Sequence, residues 1–153
     1  MATPIYFPIA RAKAGEIEAF GRLSPRAHAL VVPMLDFAVQ RSNDRRPLAQ
    51  YLAEKLQEIA TSWGTAHELY LDFSRYDPNT RLPDGRHIAS YVFEIARQLR
   101  LKAIPVAAPL NMRGPGTGYF EAVANIAGRD GRGVALRLPY ETFANGNALR
   151  TEL

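Results

Sequence analysis

With 153 residues, 47% of them hydrophobic and 22% charged, the chain has the size and composition of one globular domain, which excludes a disordered or fibrous chain. It contains no cysteine, so disulfides, thiolate metal sites and thiol nucleophiles are excluded as well. A net charge of +4 raises nucleic acid as a partner, but the densest basic group, Arg41, Arg45 and Arg46, is broken by Asp44 and ended by Pro47, and no basic face interleaved with aromatics supports that reading.

Apolar stretches alternate with amphipathic ones along the whole chain. Residues 5–10 (IYFPIA) predict a first strand. GEIEAF begins a helix, with Ile17 and Phe20 three apart, and Ser24-Pro25 predicts an N-cap with proline in the first turn of a short second helix. Residues 30–36 (LVVPMLD) predict the second strand. The clearest helical pattern covers 47–63, where Leu48, Tyr51, Leu52, Leu56, Ile59 and Trp63 recur at three and four to make one apolar stripe. Pro47 suits its first turn and Gly64 its stop.

HELYLDF (67–73) predicts a third strand, and a helix follows over about 85–100 with Ile88, Tyr91, Val92, Ile95 and Leu99 on one face. KAIPVAA (102–108) predicts the fourth strand. NMRGPGTG (111–118) is a glycine-rich loop leading into a helix that carries Phe120, Val123 and Ile126. GRDGRG (128–133) predicts a turn, GVALRL (133–138) the fifth strand, and a further helix opens from Tyr140. Pro8, Pro33 and Pro105 fall inside strand assignments. Proline cannot donate to a ladder, so these strands are expected to be short or irregular.

Strands alternating with amphipathic helices mean crossover connections and a mostly parallel sheet, here five βα units in a single α/β domain over 1–153. Independently of any resemblance, an open, flavodoxin-like five-stranded sheet with helices on both faces satisfies the pattern.

The ordered set YFPIARAKAGEIEAFGRLSP, VVPMLDF, LYLDFS, LKAIPVA and GRDGRGVALRL resembles the beta-family proteins ("protein beta") encoded by phages and bacteria. The resemblance runs from about residue 5 to residue 143 and rests on the order and spacing of the five motifs. It implies phage or mobile-element association and a longer, TIM-like (β/α)-barrel protein, whose N-terminal portion, a partial barrel, this chain matches. It brings no activity with it. A complete barrel of eight units takes about 250 residues, so on this expectation the chain stops in the middle of the fold. A truncated, non-functional fragment is then one reading, and self-association through an exposed sheet edge is expected.

In parallel α/β folds ligands bind beyond the carboxyl ends of the strands, whether the sheet is open or closed. That rule selects Arg11 and Lys13 after the first strand, Asp36 closing the second, and Asp72 with Ser74 and Arg75 closing the third. It also selects Asn111 and Arg113 after the fourth and Arg137 in the fifth. Asp36 and Asp72 are the candidate catalytic residues, since acids at the ends of buried apolar strands are costly unless paired or liganded. They would serve as a general acid/base pair or hold a divalent cation; in the structural alternative each caps a turn or pairs with a rim arginine such as Arg137. Lys13, Arg113 and Arg137 are the candidate ligand-binding residues. Lys13 precedes a helix whose first amides would help hold an anion, while Glu16 suits the first turn for its charge alone.

Gly114, Gly116 and Gly118 tempt a phosphate-loop assignment, but the segment lacks the lysine and GK[ST] ending of one, and Thr117 serves better as a helix N-cap. His28, His67 and His87 show no ligand spacing, and no HExxH, nucleophile elbow or Ser-His-Asp order is present. No cofactor is specified. The sequence leads to a protein that binds an anionic small molecule or a protein partner at the strand rim, with a metal-assisted hydrolase or phosphodiesterase using Asp36 and Asp72 as the alternative. With no apolar run near the roughly 20 residues that cross a bilayer and no signal-peptide pattern in MATPIYFPIARAK, the expected location is the cytoplasm.

Overall fold

A computed structural model describes residues 6–107 and 117–138. Its elements are β1 (Ile9–Arg11), α1 (Ala14–Gly21), α2 (Pro25–His28), β2 (Met34–Asp36), α3 (Leu48–Trp63), β3 (Glu68–Asp72), α4 (Ile88–Gln98), β4 (Lys102–Ala107), α5 (Gly118–Asp130) and β5 (Ala135–Leu136). Asn111, Arg113, most of the glycine-rich loop and the helix expected from Tyr140 lie outside the described residues.

The five strands form one sheet in the order β1-β2-β3-β4-β5, and every neighbouring pair is parallel. The sheet is not closed into a barrel among the described residues, as the open five-stranded alternative requires. Its sequential order is also the order in which a barrel is built. Because each crossover steps in the same direction, the helices line up in succession: α1 packs on α3, α3 on α4 and α4 on α5.

The core lies between that helix layer and one face of the sheet. Alternation along the strands sends Leu35, Leu69 and Leu71 into it, where they meet Leu52, Leu56, Ile59 and Trp63 of α3 and Val92, Phe93 and Ala96 of α4. Leu52, Leu56 and Ile59 are wholly buried, and each contributes on the order of 1.5–3 kcal/mol by leaving water, an upper figure because the unfolded chain is itself partly collapsed. The apolar stripe of α3 is therefore what holds the helix to the sheet. Gly64 ends it with a positive φ of 81°, open to glycine for want of a Cβ, and with its N–H donating to the Ala60 carbonyl.

The opposite face of the sheet carries Ile9, Met34 and Tyr70 in register. Ile9 is 60% exposed, and no helix packs on this face among the described residues; the open sheet thus carries its helices in one layer, where the flavodoxin-like expectation has them on both faces, because every crossover steps in the same direction.

Several boundaries differ from the pattern-based expectation, and proline explains two of them. β1 and β2 begin only after Pro8 and Pro33, whose carbonyls accept from Met34 and Tyr70 while the missing N–H groups fall outside the strands. Pro105 does lie within β4, opposite Leu71. Pro47 is the N-cap of α3, one residue before its first turn. GRDGRG is only partly a turn: α5 runs on through Asp130, and Gly131 caps it with a left-handed φ of 65°. The caps expected at Ser24 and Thr117 form, with their side chains accepting from the amides of Ala27 and Phe120.

Candidate functional site

The strand register builds the site. Arg11, Asp36 and Asp72 occupy one row across β1, β2 and β3 at their carboxyl ends. The alternation that turns Leu35 and Leu71 toward the helices turns both acids to the other face. Behind them, the rings of Phe37 and Phe73 stack with centroids 4.8 Å apart, packing the two strand ends against each other. Hydrogen bonds from Ala12 N–H to the Asp36 carbonyl and from Phe37 N–H to the Asp72 carbonyl extend the parallel pairing past the strands. The acids are thus held on rigid backbone.

Both acids are buried, at 2% and 0% exposure, and both are paired. Asp72 Oδ1 accepts from the Ser74 amide at 2.8 Å, and Oδ2 accepts from Ser74 Oγ at 3.0 Å and from Arg137 Nη1 at 2.5 Å. Asp36 Oδ2 accepts from Arg75 Nε at 2.7 Å and lies 3.7 Å from Arg137 Nη1. Arg137 therefore sits between the two carboxylates. The hydrogen bond to Asp72 raises its pKa above the ordinary arginine value, with both acid charges adding to that effect and burial opposing it. Among the described residues Asp36 Oδ1 is buried without a hydrogen-bond partner, an arrangement that costs about 1–3 kcal/mol in general.

Arg75 comes from the loop after β3. A turn closed by Tyr76 N–H on the Phe73 carbonyl shapes that loop, and the Tyr76 hydroxyl donates to the Ala38 carbonyl at 3.0 Å, tying it to the loop after β2. Burial raises the Tyr76 pKa well above the usual phenol value, so this tie persists as a neutral donor across the physiological range.

These groups border a cavity of about 380 Å³ lined by Ile9, Ala10, Arg11, Lys13, Glu16, Asp36, Arg75 and Arg137. Lys13 is the N-cap residue of α1. The first-turn amides of that helix have no intrahelical acceptor and favour negative charge beside them. Glu16 reaches back so that its Oε2 accepts from the Arg11 amide at 2.5 Å. A larger cavity of about 590 Å³ lies in the groove between α1 and α3, away from the strand ends, where Glu18, Glu54 and Glu58 already pair with Arg22, Arg46 and Lys55.

The structure thus brings Lys13, Asp36 and Arg137 to one cavity with Asp72 directly behind; Arg113 lies outside the described residues. Arg75 and Arg11 join them. The strand-end rule marks both as rim residues, but nothing in the sequence separates them from other surface arginines, because their role depends on the loop fold and the register. Four cations and two acids line the cavity. Among the described residues no group of three His, Cys, Asp or Glu side chains is placed to hold a metal ion, and a divalent cation between Asp36 and Asp72 would have to displace Arg137. No described helix is long and apolar enough to cross a membrane.

The model of the Beta protein family matches residues 6–153, and the chain belongs to that family. No curated protein and no solved structure matches it.

Proposed function

We propose that this member of the Beta protein family binds a small anionic ligand at the carboxyl rim of its strands. One observation carries the reading: buried Asp36 and Asp72 fix two half-exposed arginines, Arg75 and Arg137, at the wall of a cavity that Arg11 and Lys13 also line. A guanidinium offers five donors in a planar fork. Arg75 spends Nε on Asp36, and among the described residues its terminal nitrogens remain for a planar or tetrahedral anion, which a guanidinium binds in bidentate fashion. Prior pairing lowers the entropy cost of ordering these side chains on binding. The cavity volume lies at the small end of the range for ligand sites, roughly 300–1,000 Å³.

The test is isothermal titration of the protein with inorganic phosphate, glycerol 3-phosphate and citrate, repeated at rising salt and with Arg75→Gln. Binding of at least one anion should weaken with salt, and the substitution should weaken it about tenfold or more, equivalent to about 1.4 kcal/mol. No heat from any of the three anions, or an unchanged affinity in Arg75→Gln, would refute the reading.

A further inference from the structure

We infer that the ligand is elongated and carries an anionic group at each end, the second occupying an adjoining cavity on the other side of Lys13. This inference rests on the anion-binding reading above and extends it. The adjoining cavity, of about 330 Å³, is lined by Ala12, Lys13, Ala14, Ala38 and Val39 together with Arg41, Asp44, Arg46, Tyr51 and Lys55. Lys13 borders both cavities, so its ammonium stands at the junction that a ligand spanning them would cross.

The second cavity has its own surplus of positive charge: four cations stand against the single acid Asp44. Arg46 is bound by Asp44 and Glu54 and lies over the Tyr51 ring, 5.4 Å from its centroid. Lys55 pairs with Glu58 at 2.6 Å. Lys13 and Arg41 enter no ion pair among the described residues, so their charges are free to meet a ligand. The two cavities are lined by seven cations and three acids; Asp72, Glu54 and Glu58 bind Arg137, Arg46 and Lys55 from outside the linings, which leaves seven cations against six acids. The cations that enter no ion pair among the described residues divide between the cavities, Arg11 in the first, Arg41 in the second and Lys13 in both, so two anionic groups on one scaffold fit better than a single compact anion. Tethering them turns the second contact into an intramolecular one, which raises affinity without new contacts in the first cavity.

The experiment titrates a series of alkane-α,ω-bisphosphonates of increasing chain length against butylphosphonate at matched ionic strength, using the wild-type protein, Arg41→Gln and Lys13→Gln. Arg41 is exposed, and a thermal melt of each variant verifies the fold. At least one bisphosphonate should bind ~10-fold or more tightly than butylphosphonate. Arg41→Gln should remove that advantage while butylphosphonate binds as before, and Lys13→Gln should weaken both. A series that binds no better than butylphosphonate, or an advantage that survives Arg41→Gln, overturns the two-headed ligand and leaves the single anion site standing. If butylphosphonate and the whole series alike fail to bind, both readings fall together.

Discussion

Replacing Arg137 with Met tests the arrangement on which the rim depends. Removing one member of a buried ion pair costs about 3–5 kcal/mol, because the charge left behind is neither solvated nor paired. Two features reduce that figure here. Asp72 keeps the Ser74 amide and hydroxyl at 2.8 and 3.0 Å, and Arg137 is 35% exposed, so water can approach part of the vacated space. The expected loss is therefore about 2–3 kcal/mol. Asp72→Asn should cost less, about 1 kcal/mol, because the orphaned guanidinium reaches solvent and the new amide still accepts from Ser74. The order follows from burial: the partner that cannot be rehydrated is the expensive one to abandon. In the double variant the penalties should not add, and the coupling should come to about 1–2 kcal/mol. Urea titrations followed by the emission of Trp63, the single tryptophan and a core residue, measure all three. Arg137→Met costing no more than Asp72→Asn, or strict additivity, would show that Arg137 is a surface side chain with no hold on the buried acids.

Two further outcomes follow from the helix layer. A Cβ at Gly21 would lie 3.0 Å from the Ser62 carbonyl oxygen of α3, so Gly21→Ala should push α1 away; overpacking of about 1–3 kcal/mol outweighs a helix-propensity gain of up to about 1 kcal/mol. The melting temperature should fall by a few degrees, and a rise would contradict the close approach. At the opposite end of the sheet from the cavity, His28 stacks on Trp63 with centroids 4.1 Å apart and lies 5.2 Å from the His67 ring. Burial lowers the His28 pKa below 6.5, the His67 charge lowers it further, and a hydrogen bond with the Phe20 backbone partly opposes them. The unfolded chain then takes up the proton more readily than the folded one, so stability is complete above pH 6.5 and is lost as pH falls from there through the folded-state pKa. Urea midpoints should decline over that window in the wild type and flatten in His28→Phe; an identical decline in the variant would place the proton uptake elsewhere.

Much of the architecture is legible locally. The stripe from Leu48 to Trp63, the Ser24 and Thr117 caps and the Gly64 stop depend on neighbours within a few residues, and hydrophobic period and cap chemistry identify them directly. Strand boundaries are less legible, since Pro8 and Pro33 lie in apolar runs that continue on either side, and only the pairing partners reveal where the ladder begins. The site divides in the same way. A strand-end rule brings Lys13, Asp36, Asp72 and Arg137 to one rim, because parallel strands all finish on the same side of a sheet. What each acid pairs with is another matter. Arg137 lies 65 residues from Asp72, and Arg75 lies 39 residues from Asp36. No local pattern encodes such contacts.

The sequence alone determined that this chain is an α/β protein of alternating strands and helices with acids and cations at its strand ends, since period, caps and composition act over one or two turns of chain. The tertiary structure decided the rest: that the strands lie in sequential order in an open sheet, that the register of β1, β2 and β3 sets Arg11, Asp36 and Asp72 side by side, and that Arg137 comes between the two acids. Those relations belong to segments brought together by burying the helix layer. The buried carboxylates could become charged anchors for a basic cavity only once that packing had excluded water from them.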